Sequence, residues 1–174
     1  FIGYRLDHLG VLSLGITALA SYWGLSLSPQ KWYSNEFLDS ANLHLKAMVF
    51  GAVISAVAVL LDRRDIKKHF TFTYVNFASL SFLSGALASM FINDESYGPY
   101  LLLLYAGCAG CVFFARWKKS FLFLLYAFIF AYIGTTFLMV DTLPDDPAIW
   151  FFYLMASCGG FIFFILRYRN HFKR

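Results

Sequence analysis

Six apolar runs, at about residues 9–28, 44–61, 71–92, 99–115, 120–140 and 148–166, are each bounded by charge, proline or asparagine. A bilayer crossing needs about 20 mostly apolar residues in a helix, so this partition predicts six crossings. Composition leaves no other solvent. With 60% hydrophobic, 21% aromatic and only 14% charged residues in 174, a water-soluble domain of this size could not hide its apolar surface. Backbone groups in lipid must be satisfied within the segment. The expected fold is therefore all-α: an integral-membrane six-helix bundle of three antiparallel hairpins, forming a single transmembrane domain over residues 1–174. The chain opens on Phe1 and carries Arg5, Asp7 and His8 before its first apolar run, which reads as part of a longer protein.

Charge sign orients the bundle. Arg5, then Arg63, Arg64, Lys67 and Lys68, then Arg116, Lys118 and Lys119, then Arg167, Arg169, Lys173 and Arg174 fall on one side. The other side holds Lys31 and Lys46 against Glu36, Asp39, Asp94, Glu95, Asp141, Asp145 and Asp146. The positive-inside rule then places both termini in the cytoplasm. It also accounts for the net charge of +4 through contact with the bilayer surface, without nucleic acid as a partner. Tyr22, Trp23, Trp32, Tyr33, Tyr97, Tyr100, Trp117, Trp150, Tyr153 and Tyr168 lie near predicted span ends, as an interfacial aromatic belt should. Trp32, Tyr33 and Phe37, in the long loop 29–43, suit a short helix on the membrane surface.

An internal repeat is visible at a spacing of one hairpin. Shifting by 51 sets "KKHFTFTYVNF" (67–77) on "KKSFLFLLYAF" (118–128), and shifting by 50 sets "CAGCVFF" (108–114) on "CGGFIFF" (158–164). The repeating unit would be span, acidic turn, span, basic turn.

The pair Cys108 and Cys111 raises a redox or metal reading. At i and i+3 the thiols share a helix face, but two ligands are too few for a metal and no His or carboxylate stands on that segment. In the repeat, Cys111 meets Phe161 whereas Gly110 meets Gly160. Small residues let helices approach closely in lipid, so Gly107, Gly110, Gly159 and Gly160 are expected to pack helices. Ser81, Gly85 and Ser89 form a second such stripe at four-residue spacing.

No ionisable residue lies clearly mid-span. His44, Lys46, Asp62 and Asp141 sit at span ends, where snorkelling or interfacial solvation suffices. Asn76, Thr135 and Thr136 are the polar points of interest inside spans. Their plain role is hydrogen bonding between helices, and their sharper one a polar pathway. Asp141, Asp145 and Asp146 in "DTLPDDP" lack the spacing of a calcium loop. His8, His44, His69 and His171 are interfacial, which does not suit haem ligation within the bilayer. No catalytic triad, zinc-protease, phosphate-loop or dinucleotide signature is present. The expectation is no catalytic residue, no metal and no cofactor.

The opening "FIGYRLDHLGVLSLGITALASYWG" (1–24) and the connection "DRRDIKKHFTFTYVNF" (62–77) resemble bacterial polytopic membrane proteins grouped under a domain of unknown function (DUF2157-like). The resemblance implies an inner-membrane setting and a chain extending before Phe1, and carries over no catalytic residue. Three functions are then in view. A non-enzymatic scaffold or anchor, packed against a membrane-protein partner or a second copy of itself, comes first. A transporter or channel for a small or lipid-like solute comes second. An interfacial enzyme using "RLDH" (5–8) or the Asp cluster is the remotest.

Overall fold

In the computed structural model, residues 9–22, 43–64, 68–92, 97–142 and 147–169 are described. They form six helices: α1 (Leu9–Ala20), α2 (Leu43–Arg63), α3 (Lys68–Ile92), α4 (Gly98–Lys118), α5 (Phe121–Thr142) and α6 (Pro147–Arg169). Four stretches, Leu43–Arg63, Phe70–Ile92, Gly98–Lys118 and Phe121–Thr142, are long and apolar enough to cross a membrane, and they mark the chain as an integral membrane protein. At 1.5 Å per residue the 21 residues of α2 reach about 31 Å, matching a hydrocarbon core of about 30 Å. Of the first expected span residues 9–22 are described, 12 of them forming α1, about 18 Å long. The loop 29–42, with Trp32, Tyr33 and Phe37, lies outside the described residues.

The helices run past the apolar segments onto charged ends. α2 finishes at Arg63 and α4 at Lys118, since long cationic side chains reach water while their stems stay in lipid. Tyr97 starts α4 by accepting the Leu101 N–H at 2.9 Å. Pro147 opens α6, a first-turn position where a missing N–H does no harm. α4 ends by a left-handed step at Lys119, with φ 52°. The Ser120 N–H then donates to the Ala115 carbonyl at 3.0 Å, the six-to-one bond of a Schellman cap. A side chain in the left-handed region carries a steric cost that glycine lacks. Lys119→Gly is expected to raise stability by about 0.5–1 kcal/mol, read as a higher thermal midpoint in detergent. A lower midpoint would contradict the cap geometry.

The chain divides into two compact units, Phe1–Gly107 and Cys108–Arg174. In the first, α2 and α3 are the most extensively packed helix pair, and α1 lies against α3. Leu12 and Ile16 of α1, Phe50 and Ile54 of α2, and Phe70 and Ala78 of α3 form one buried cluster. The buried face of α2 comprises Met48, Gly51, Ile54, Ala58 and Asp62, a stripe at helical spacing. Val49, Val53, Val57 and Leu60 stand exposed on its other side, and a helix apolar all round is what lipid selects.

Two glycines set the depth of this packing. A Cβ at Gly51 would lie 2.6 Å from the Phe82 nitrogen and 2.7 Å from the Ala78 carbonyl oxygen, and one at Gly85 would lie 2.8 Å from the His44 carbonyl oxygen. The backbones of α2 and α3 therefore touch. Gly107, midway along α4, brings the Phe82 ring to 2.8 Å from its own Cβ position. In the second unit Ala115, Phe123, Leu124 and Ala127 are buried.

Candidate functional site

Polar side chains of α5 and α6 converge between the two helices. Tyr132 and Thr136 stand one turn apart on α5, and Tyr153 and Ser157 one turn apart on α6, so each pair shares a helix face. In antiparallel helices residues at one level have a constant sum of positions. Tyr132 with Ser157, and Thr136 with Tyr153, meet that condition. The Tyr132 hydroxyl lies 3.1 Å from Ser157 Oγ, and the Tyr153 hydroxyl 2.7 Å from Thr136 Oγ1. The two phenol rings lie parallel, 6.4 Å apart at an interplanar angle of 5°. Trp150 meets Tyr153 edge-on at 6.1 Å and 81°, holding its ring from the α6 start.

Counting protons fixes the direction of each bond. Thr136 Oγ1 donates to its own helix at the Tyr132 carbonyl, at 2.8 Å. Its single proton is then used, so Tyr153 donates to Thr136. Ser157 donates to the Leu154 carbonyl at 2.9 Å, so Tyr132 donates to Ser157. Both short chains run from phenol to aliphatic hydroxyl to backbone carbonyl and stop there. Such a ladder fastens two helices in one register; it does not pass a proton along.

Beside the ladder is a cavity of about 320 Å³ lined by Phe128, Ala131, Tyr132, Thr135, Tyr153, Ala156 and Ser157. Thr135 points its hydroxyl back to the Ala131 carbonyl, so the cleft is walled mainly by rings and methyl groups. Tyr132 is ten residues from the Thr142 end of α5, about 15 Å, which puts the cleft near mid-helix.

Of the polar points in the sequence, Thr135 and Thr136 come together here, whereas Asn76 belongs to the other unit and is half-buried on α3. Gly85 and Ser89 lie on the α2-facing side of α3. Ser89 Oγ donates to the Gly85 carbonyl at 2.8 Å and reaches Met48 Sδ at 3.5 Å. Ser81 is half-buried. Cys108 and Cys111 are buried and are not joined in a disulfide. A Cβ at Gly110, Gly159 or Gly160 meets nothing within 4 Å. Lys46 and Asp141 are exposed, His44 is half-buried and Asp62 is buried at the end of α2. His8, His171, Asp145, Asp146 and "RLDH" lie outside the described residues, as does the His69 side chain. Among the described residues no group of three or more His, Cys, Asp or Glu converges as metal ligands would.

Sequence reasoning did not single out Gly51, Tyr132 or Ser157, and it assigned Tyr153 to the interfacial belt. The constant-sum pairing was the signal available. No family model, curated protein or solved structure matches this chain.

Proposed function

We propose that this protein is a non-enzymatic multi-pass membrane module, a scaffold or anchor subunit of a larger membrane assembly. It crosses the bilayer six times as three antiparallel hairpins, with both termini cytoplasmic by the positive-inside distribution. Its resemblance to bacterial membrane proteins points to the inner membrane. The observation that carries the reading is how the ladder uses its protons. Tyr132, Thr136, Tyr153 and Ser157 each donate within the helix pair, which leaves none of these four protons to donate to a passing solute. The backbone contact at Gly51 and Gly85 supports the same view, since a carrier needs helices that part.

A second reading, a carrier for a small or lipid-like solute, draws on the cleft beside Thr135. The two separate in liposomes. Reconstituted protein is expected to pass protons and potassium ions no faster than protein-free vesicles, and Thr136→Val is expected to change thermal stability without changing leak. Flux above the vesicle background that Thr136→Val abolishes would overturn the scaffold reading.

A further inference from the structure

We propose that Asp62 at the end of α2 and Thr71 at the start of α3 form a binding site for an alkali cation, sodium or potassium. The register of the hairpin brings them to one level. A Cβ at Gly51 would stand 2.6 Å from the Phe82 nitrogen, and one at Gly85 2.9 Å from the Met48 nitrogen, so both close contacts obey one antiparallel alignment. Asp62 is eleven residues on from Gly51, and Thr71 eleven residues back from Phe82. Eleven residues make about three turns of helix, so both side chains stay on the faces that meet at Gly51. Burial agrees: Ala58 and Asp62 on α2, and Val75 and Thr71 on α3, are all buried. Thr71 is 3% exposed and Asp62 8%. The chain itself shields them, so water at the membrane surface does not account for the carboxylate.

The hydroxyl marks this layer as a site. Ser79, Ser89, Thr135 and Thr136 each donate to the carbonyl four residues back. Thr71 stands in the first turn of α3, with Lys67 before the helix, and its Oγ1 has no hydrogen-bond partner among the described residues. A buried hydroxyl in that state is costly and demands a reason. Asp62, level with it, does not accept its proton. Two oxygen ligands of one hard cation stand about 4–5 Å apart, so an ion joins oxygens that are too distant to bond directly. Thr71 offers the ion a lone pair, and a carboxylate has about four lone-pair sites, so bonds that Asp62 makes elsewhere leave it capacity. The negative end of the α2 dipole favours a cation at the same place, and the last carbonyls of a helix, which lack partners within it, are further oxygen ligands. An all-oxygen set selects a hard ion. Charge selects a monovalent one: calcium sites gather several carboxylates, and no group of three or more His, Cys, Asp or Glu converges among the described residues. The ion fastens the hairpin where α2 gives way to α3.

Thermal unfolding of the full chain in detergent, at one chloride concentration, reads the site. Relative to choline, which is too large to enter, sodium or potassium is expected to raise the midpoint by about 3–5 °C at a concentration about tenfold above half-saturation. Asp62→Asn is expected to abolish the rise, and Thr71→Ser to keep it. Thr71→Val separates the ion from ordinary packing. It replaces an unpartnered hydroxyl with a methyl group, so its midpoint in choline should increase while the response to sodium and potassium disappears. Asp141→Asn, at an exposed carboxylate, keeps the response. Equal midpoints of the parent protein in choline, sodium and potassium would overturn the proposal, because the chain's own groups would then complete the layer. A response that survives Thr71→Val, one that Asp141→Asn removes as well, or one given by calcium alone would overturn it too.

Discussion

Gly51→Ala is expected to destabilise the α2–α3 hairpin by about 3 kcal/mol, although it adds only a methyl group. The new carbon would enter at 2.6 Å from the Phe82 nitrogen, 2.7 Å from the Ala78 oxygen and 2.8 Å from Phe82 Cβ. Two of those atoms are backbone and cannot rotate away, so the helices must separate by about 1 Å to restore ordinary contact. That separation loosens the Phe50, Ile54 and Ala78 cluster along with the contact itself. Gly85→Ala is expected to act in the same direction, because the His44 oxygen and the Met48 nitrogen stand at 2.8 and 2.9 Å. Gly159→Ala meets nothing within 4 Å, and helix propensity favours alanine by up to about 1 kcal/mol. Unfolding in a graded mixture of mild and denaturing detergent measures all three. If Gly51→Ala fell within the scatter of the parent protein, the close approach of α2 and α3 would be refuted.

The hydroxyl ladder yields an asymmetric prediction of comparable size. Ser157→Ala removes the acceptor of Tyr132 and leaves a phenol proton without a partner in an apolar seam, which costs about 1–2 kcal/mol. Tyr132→Phe removes the donor instead, and Ser157 keeps its own bond to the Leu154 carbonyl, so the loss should stay below about 1 kcal/mol. The other rung repeats the contrast, with Thr136→Val more damaging than Tyr153→Phe. Removing both acceptors together is expected to cost about 2–4 kcal/mol. The same detergent titration, run as two double-mutant cycles, decides it. Equal effects from donor and acceptor removal would show that the proton directions are misassigned.

Hydropathy and charge made the four membrane-length helices legible, and their observed ends differ from the apolar runs by only a few residues. The largest differences fall at Lys68 and Lys118, where the helix extends beyond the apolar run onto charged residues. Gly85 stood out because α3 carries it between Ser81 and Ser89. Gly51 did not, since α2 also has Ala47, Ala52, Ser55, Ala56 and Ala58, and no single small-residue face emerges. In lipid the outward face of a helix is as apolar as its inward one, so hydrophobicity cannot say which side of α4 is buried. The repeat drew attention to Gly110, whereas Cys111 is the buried neighbour and Gly110 faces open space within the chain. For the ladder, Tyr132 and Ser157 each look unremarkable alone. Their chemistry appears only when two helices are set antiparallel and in register, which a linear reading of one helix at a time does not do.

The capped turn after α4 also limits motion. Only Lys119 and Ser120 separate Lys118 from Phe121, and three Cα steps cover at most about 11 Å. Neighbouring helix axes already stand about 8–10 Å apart, so the connection has almost no slack. A shift of Lys118 along the α4 axis therefore draws Phe121 with it. The short connection thus ties the position of the α4 end to that of the α5 start.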